Sequence, residues 1–274
     1  MTIIESIIIA IVEGLTEFLP VSSTGHMILV EGLMGMKNTE YLRAFTVMIQ
    51  FGAILSVLAL YFRRFLPWGK VERPSYGLQG LNLYYLMLIG CIPAGILGVL
   101  LEDYIDMLLG SVWVVVVMLF IGGLVMIYMD RRLGTEYPQT VTPRKALVIG
   151  VFQCLAMVPG VSRSMATILG GMQQGLTRAQ AAEFSFFLAI PTMFGATLLK
   201  AYKLYKVSGV EVFTDNWQTL LVGNVVAFFV ALAAIKLFIG FVTKYGFRFF
   251  GYYRIAVAII FALLMFSGVN IELV

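Results

Sequence analysis

Charge is scarce in this chain: Asp, Glu, Lys and Arg make up 12% of its 274 residues, against about 25% in soluble domains. No polar stretch is long enough to form a separate soluble domain. Histidine occurs once and cysteine twice. Cys91 and Cys154 lie in apolar segments without metal-type spacing, which argues against a structural disulfide or a zinc site. No basic region precedes the first apolar run, Glu5 comes early in it, and it leads into polar residues, so it does not read as a cleavable signal. The net charge of +4 is better explained by basic loops on one membrane face than by a nucleic-acid surface, and no nucleic-acid partner is expected.

What is abundant is apolar. Sixty per cent of the residues are hydrophobic and the mean hydropathy is +0.93, which makes this an integral membrane protein with a single membrane domain over 1–274. Within it, residues 2–18 form an apolar run that stops at Pro20, and a second run from about 25 to 35 stops at Gly32, Gly35 and Lys37. Neither reaches the roughly 20 residues needed to span. Two half-length helices joined by Pro-Val-Ser-Ser-Thr read as a re-entrant hairpin, tolerated at membrane depth only inside protein or lining a cavity. Three candidate spans follow at 42–62, 83–101 and 113–130, with Tyr84, Tyr85 and Trp113 as interfacial anchors.

The second half repeats the plan: an apolar run at 145–158 ending at Pro159, then Gly-Val-Ser-Arg-Ser, a short run to Gly175, and spans near 180–200, 217–241 and 252–269. Phe45 to Leu55, with Gln50, answers Phe184 to Pro191, with Glu183 close by. A hairpin plus three crossings is an odd number of passages, so the halves are inverted. The expected fold is an all-α polytopic membrane protein of two inverted-topology repeats, about 1–136 and 140–274, each a re-entrant helical hairpin plus three transmembrane helices. In that architecture the paired interrupted segments meet near the midplane and mark the binding site. The scheme puts Arg63, Arg64, Lys70, Arg73, Arg131, Arg132, Arg144, Lys145, Arg178, Lys244, Arg248 and Arg254 on one side, which should be cytoplasmic. The loop with Glu102, Asp103 and Asp106 falls outside, as does the group Lys200, Lys203 and Lys206, which counts against the scheme.

Ionisable groups at this depth cost on the order of 2.5 to 3.5 kcal/mol each on insertion scales, so their clustering marks function. Glu13 and Glu17 are one helical turn apart, placed to share a proton or hold a cation between them. Ser22, Ser23 and Thr24 stand where a helix is capped. His26, three residues after Ser23, is placed to exchange a proton with that hydroxyl or with a leaving group. Arg163 lies between Ser162 and Ser164 at the start of a short helix, with Thr167 one turn on; free N–H groups and a forked cation make an anion site. Arg163 also serves to neutralise Glu17, and the two roles are compatible. If the hairpins meet, the inventory fits phosphoryl transfer, which is mostly positioning and charge stabilisation. The wide apolar flanks suggest that the rest of the substrate is lipid.

The stretch Glu13-Gly-Leu-Thr-Glu17-Phe-Leu-Pro-Val-Ser-Ser-Thr-Gly-His26 and the stretch Pro159-Gly-Val-Ser-Arg-Ser164 with Thr167 resemble the two signature motifs of the undecaprenyl-diphosphate phosphatases, also called bacitracin-resistance proteins. The likeness covers nearly the whole chain. It implies hydrolysis of the C55 isoprenyl diphosphate to monophosphate and inorganic phosphate, recycling the lipid carrier for peptidoglycan synthesis. It also implies a bacterial plasma-membrane location, a site opening to the outer face, and a need for Mg2+ or Ca2+. By resemblance Glu13 and Glu17 are the acidic pair, Ser23 the nucleophile, His26 the acid or base and Arg163 the diphosphate clamp, with Ser22, Thr24, Ser162, Ser164 and Thr167 as further contacts. Met165 stands where the family commonly has glycine. A transporter or flippase of a polyprenyl phosphate lipid is the alternative, because inverted repeats with broken helices are also transporter features. The oligomeric state is left open, with a homodimer among the alternatives.

Overall fold

A computed structural model describes residues 1–37, 39–67, 76–101, 104, 107–108, 111–133 and 137–267. Lys70, Arg73, Glu102, Asp103 and Asp106 lie outside the described residues. Among those described, all regular structure is helical. The elements are α1 (Ile3–Thr16), α2 (Ser23–Leu33), α3 (Glu40–Met48), α4 (Gln50–Leu60), α5 (Phe62–Phe65), α6 (Gly80–Leu100), α7 (Val112–Arg132), α8 (Pro143–Cys154), a 3-10 turn (Leu155–Met157), α9 (Arg163–Gln173), α10 (Arg178–Ser208), α11 (Glu211–Asp215), α12 (Trp217–Tyr245) and α13 (Arg248–Phe266).

Among the described residues, six helical stretches are long and apolar enough to cross a membrane: Glu40–Leu60, Gly80–Gly98, Val112–Arg132, Arg178–Ser208, Trp217–Tyr245 and Arg248–Phe266. They coincide with the six spans read from hydropathy. The first is α3 and α4 together, joined at Ile49, which keeps a right-handed helical backbone. By contrast α1, α2, α8 and α9 have 14, 11, 12 and 11 residues, or about 16–21 Å at 1.5 Å per residue, too short for a hydrocarbon core of about 30 Å.

Local chemistry explains where these helices begin. Thr2 and Glu5 form a reciprocal capping box at α1, and Thr177 and Gln180 do the same at α10. Thr142 caps α8, with Pro143 in the first turn, where its missing N–H costs nothing. Between α1 and α2 the chain turns without regular helix, between α8 and α9 it turns after the short 3-10 stretch, and each turn ends on a serine that caps the next helix.

With no hydrophobic drive between helices in lipid, association depends on close packing, and small residues permit it. A Cβ on Gly52 would lie 2.1 Å from the Asn224 carbonyl oxygen, and one on Gly150 would lie 2.3 Å from that of Gly90. These contacts seat α4 against α12 and α8 against α6. Gly52 N–H also donates to Asn224 Oδ1 at 2.8 Å, an interhelical bond made where the α3–α4 junction frees it. Elsewhere α1 packs on α12 and α7 on α13.

The cations divide by environment. Arg178 donates to Asp130 Oδ1 at 2.7 Å and to the Asp130 carbonyl at 2.9 Å, and Arg248 N–H donates to the same carboxylate. Arg64 pairs with Glu183 at 3.9 Å. These groups mark the helix end that also carries Arg131, Arg132 and Lys244, whereas Lys200, Lys203 and Lys206 sit at the other end of α10. Arg254 corrects the expected charge map. Instead of facing a polar loop it is fully buried and bonded to backbone carbonyls deep in the bundle. The reason is its position: it lies two turns into α13 on the side facing α7.

Replacing Gly52 by Val should cost on the order of 1–3 kcal/mol or more, because a backbone carbonyl cannot yield as a side chain can. Gly195→Ala, with nothing within 4 Å of its Cβ, should leave the thermal midpoint unchanged or slightly raised. Thermal unfolding of both purified variants in detergent checks the pair.

Candidate active site

Ser22 and Ser162 hold the key to the local geometry. They have φ of 71° and 79°, the left-handed side of the map, which a non-glycine residue adopts at a cost of about 1–3 kcal/mol. Each accepts a hydrogen bond on Oγ from the N–H three residues on, Gly25 at 3.4 Å and Met165 at 3.3 Å, and so caps α2 and α9. The strained caps let the chain reverse sharply after Pro20 and after Pro159. Both helices therefore begin at one place.

That place is a cavity of about 170 Å³. Glu17, Ser22, Ser23 and Thr24 line it from the first turn, Pro159, Gly160, Ser162 and Arg163 from the second, and Gln50 and Met193 from the flanking helices. The turns are bonded to each other directly. Ser164 Oγ donates to the Leu19 carbonyl at 2.7 Å and lies 3.0 Å from Ser162 Oγ.

Glu17 joins the chemistry of the two motifs. Ser23 Oγ donates to its Oε2 at 2.6 Å, and Arg163 Nη2 donates to its Oε1 at 3.2 Å, with both partners nearly buried. Arg163 Nη1 donates to the Ser185 carbonyl at 2.9 Å, and its guanidinium lies 5.9 Å from the centre of the Phe18 ring. Its buried Nε has no acceptor among the described residues. A serine hydroxyl bonded to a carboxylate can be activated for nucleophilic attack, and a guanidinium held beside a cavity can take an anion. The first-turn N–H groups of α2 and α9 add two further sources of positive potential.

Not every expected site residue reaches the cavity. Thr167 is fully buried and bonds to the Arg163 carbonyl at 2.8 Å and Ser185 Oγ at 2.6 Å, so it holds the helix turn that carries Arg163. His26 makes no hydrogen bond to Ser23. Its Nδ1 meets the Ser22 carbonyl at 2.8 Å and its Nε2 meets Tyr253 Oη at 2.7 Å. Spacing places His26 on the right helix face, but the reversed backbone at Ser22 presents its carbonyl to the ring, while Ser23 turns to Glu17. Glu13 is fully buried one turn before Glu17, and neither of its oxygens has a donor among the described residues. No group of three or more His, Cys, Asp or Glu suited to a metal occurs among them. Two adjacent carboxylates, one unsatisfied, nevertheless fit the pattern in which Mg2+ is held by one or two carboxylates together with substrate phosphates.

Three residues escaped the sequence reading. Ser185 lies within the segment noted as answering Phe45 to Leu55, and its role in holding Arg163 and Thr167 was not visible. Tyr253 and Arg254 looked like the start of a span and one of its flanking charges. No local signal distinguishes them. Met165, the departure from the motif, is buried beside Gly122, with its sulfur 3.1 Å from where a Gly122 Cβ would be. It is absent from the cavity wall, and its N–H still completes the Ser162 cap.

Comparison with known proteins gives the family. The family model described as Bacitracin resistance protein BacA matches residues 6–260. A protein from Porphyromonas gingivalis (strain ATCC BAA-308 / W83) called undecaprenyl-diphosphatase is 59% identical over 278 residues, with 99% of each chain covered. Proteins of the same name from Flavobacterium johnsoniae and Bdellovibrio bacteriovorus are 50% and 45% identical, covering 97% and 100% of each chain. This chain belongs to the bacitracin resistance protein BacA family.

Proposed function

We propose that this chain is a membrane phosphatase that hydrolyses undecaprenyl diphosphate to undecaprenyl phosphate and inorganic phosphate, returning the lipid carrier to peptidoglycan synthesis. The observation that carries the reading is the Ser23–Glu17–Arg163 chain of contacts, which sets a nucleophile, its base and an anion clamp against one small cavity. The names of the relatives supply the substrate class. The transporter alternative rested on the repeat layout, which the phosphatase reading uses equally well.

Arg163 leaves the Glu17 oxygen to bind the diphosphate, and the Ser162 hydroxyl and the first-turn N–H groups take its remaining oxygens. Ser23 Oγ attacks the terminal phosphorus while Glu17 accepts its proton. The bridging P–O bond breaks, its electron pair departs with the lipid monophosphate, and Glu17 gives the serine proton to that departing phosphate, which frees its carboxylate again. Water then attacks the phosphoserine. Glu17 carries the water's proton to Ser23 Oγ as phosphate leaves. Glu13 and Glu17 would hold a divalent cation, Mg2+ or Ca2+, which supplies neutralisation of diphosphate charge. In this reading His26 supports the turn through the Ser22 carbonyl, and Glu17 takes the role of base that spacing had offered to His26.

The inverted-repeat reading draws support from contacts. Ser6, early in α1, bonds the Thr219 carbonyl at the start of α12, while Ile28 and Leu29 in α2 pack with Val112 and Leu264 at the same end of the bundle. Both arms of the first hairpin thus reach one end. The second hairpin reaches the other: Val141, just before α8, bonds the Tyr76 carbonyl near the start of α6, and α9 runs back to α10 at Arg178. Pairings also exchange between halves, since α1 packs on α12 as α8 packs on α6. With the Arg131, Arg132 and Arg178 end in the cytoplasm, the first hairpin enters from outside, and the cavity opens to the outer face.

Purified protein should release phosphate from undecaprenyl diphosphate in detergent. Ser23→Ala should lower turnover by about 10³-fold or more and abolish a trappable phosphoserine; full turnover in that variant would eliminate the serine route. Chelator should stop the reaction and Mg2+ or Ca2+ restore it, with Glu13→Gln raising the half-saturating cation concentration about tenfold. A Thr24→Cys variant in a background with Cys91 and Cys154 replaced by alanine should react with an impermeant maleimide from the outside of intact cells. Labelling only after lysis would reverse the orientation.

A further inference from the structure

Arg254 is the largest fully buried side chain among the described residues, and the mechanism above leaves it unused. Its hydrogen bonds go to four backbone carbonyls. Nη1 donates to Pro20 at 3.2 Å, and Nη2 donates to Gly160 at 2.8 Å and to Met118 at 3.0 Å. Nε donates to Leu119 at 3.4 Å. Pro20 belongs to the first active-site turn and Gly160 to the second, while Met118 and Leu119 belong to α7. One planar fork thus touches both turns and fixes them to the α7–α13 pair. None of the described ion pairs includes it.

Two features make this more than packing. A buried charge satisfied only by carbonyl dipoles is a poor choice for stability alone, because an apolar side chain of similar volume would avoid the desolvation cost. Gly160 also lines the cavity, so this positive charge stands directly behind the wall that faces the incoming diphosphate. The neighbouring residue on α13, Tyr253, holds His26 and through it Ser22. The same short piece of α13 therefore reaches both motifs. A lysine could not reproduce the arrangement, since a compact ammonium with three donors cannot bridge four carbonyls in one plane.

We propose that Arg254 is a positioning residue for phosphoryl transfer: by clamping the Pro20 and Gly160 carbonyls to one guanidinium, it sets the two turns in the register at which Ser23 and Arg163 meet the same diphosphate. This inference rests on the phosphatase reading. It is separable from that reading because wild-type protein that releases no phosphate defeats the reading itself, whereas the variants below bear only on Arg254.

Gly122 provides a test that keeps the charge. A Cβ there would come 2.3 Å from Arg254 Nη2, so Gly122→Ala displaces the guanidinium without removing it. With undecaprenyl diphosphate as substrate, Arg254→Gln should lower kcat 10- to 100-fold per folded molecule with KM changed less than about threefold. Arg254→Lys should recover only part of the loss. Gly122→Ala should lower kcat about tenfold, and the double variant Gly122→Ala/Arg254→Gln should be no worse than Arg254→Gln alone. Met165→Ala, which relieves the other side chain at Gly122, should leave kcat within threefold. Full kcat per folded molecule in Arg254→Gln, or losses that multiply in the double variant, would overturn the proposal. If Arg254→Gln does not fold, an unchanged kcat in Gly122→Ala overturns it alone.

Discussion

The contact between Glu17 and Arg163 is the constraint on which the rest of this structure depends. Neither group is cheap at membrane depth, and each is nearly buried. Losing either partner of such a pair typically costs about 3–5 kcal/mol, because the other charge stays behind unpaired. The pair spans 146 positions of sequence, so it exists only if two separate turns are brought together. Short helices, strained serine caps and the Ser164–Leu19 bond all serve that end. What the pair leaves over is a serine on the second carboxylate oxygen and a guanidinium whose Nε has no acceptor among the described residues.

The bundle achieves this proximity by giving up side-chain volume elsewhere. Where α4 meets α12 and α8 meets α6, glycine lets backbones touch, and in lipid such contacts replace the hydrophobic drive that would pack soluble helices. The four short helices pack among the longer ones, and the turns between them meet at one cavity. The residues that begin α2 and α9 line that polar cavity. Strain at Ser22 and Ser162 is sustained by the same close packing, since both residues are held by neighbours on several sides.

Charges away from the site divide the molecule into a pinned end and an inner lock. Asp130 gathers Arg178 and the Arg248 N–H, tying α7, α10 and α13 at one end, while Arg254 ties the same α7 and α13 to the turns at depth. Asp130 and Arg178 are ordinary helix-end partners. Arg254 is not, because its acceptors are main-chain carbonyls that no side-chain pattern announces. The departure at Met165 is absorbed without reaching the cavity, since its side chain packs toward Gly122.

Membrane location, six spans, the half-length runs ending at Pro20 and Pro159, and the clustering of Glu17, Ser23 and Arg163 were all readable from the sequence. Hydropathy over 20 residues and the cost of buried charge are properties of short stretches, and they need no knowledge of the partner. The tertiary structure alone decided which groups bond. Ser23 turns to Glu17 rather than His26 because Ser22 reverses the backbone between them, and His26 reaches Tyr253 from a helix 227 positions away. Arg254 looked like a flanking charge because periodicity can place a residue on a helix but cannot tell which carbonyls will meet it. Those acceptors belong to every residue alike, and only packing brings a chosen few within 3.4 Å of a guanidinium.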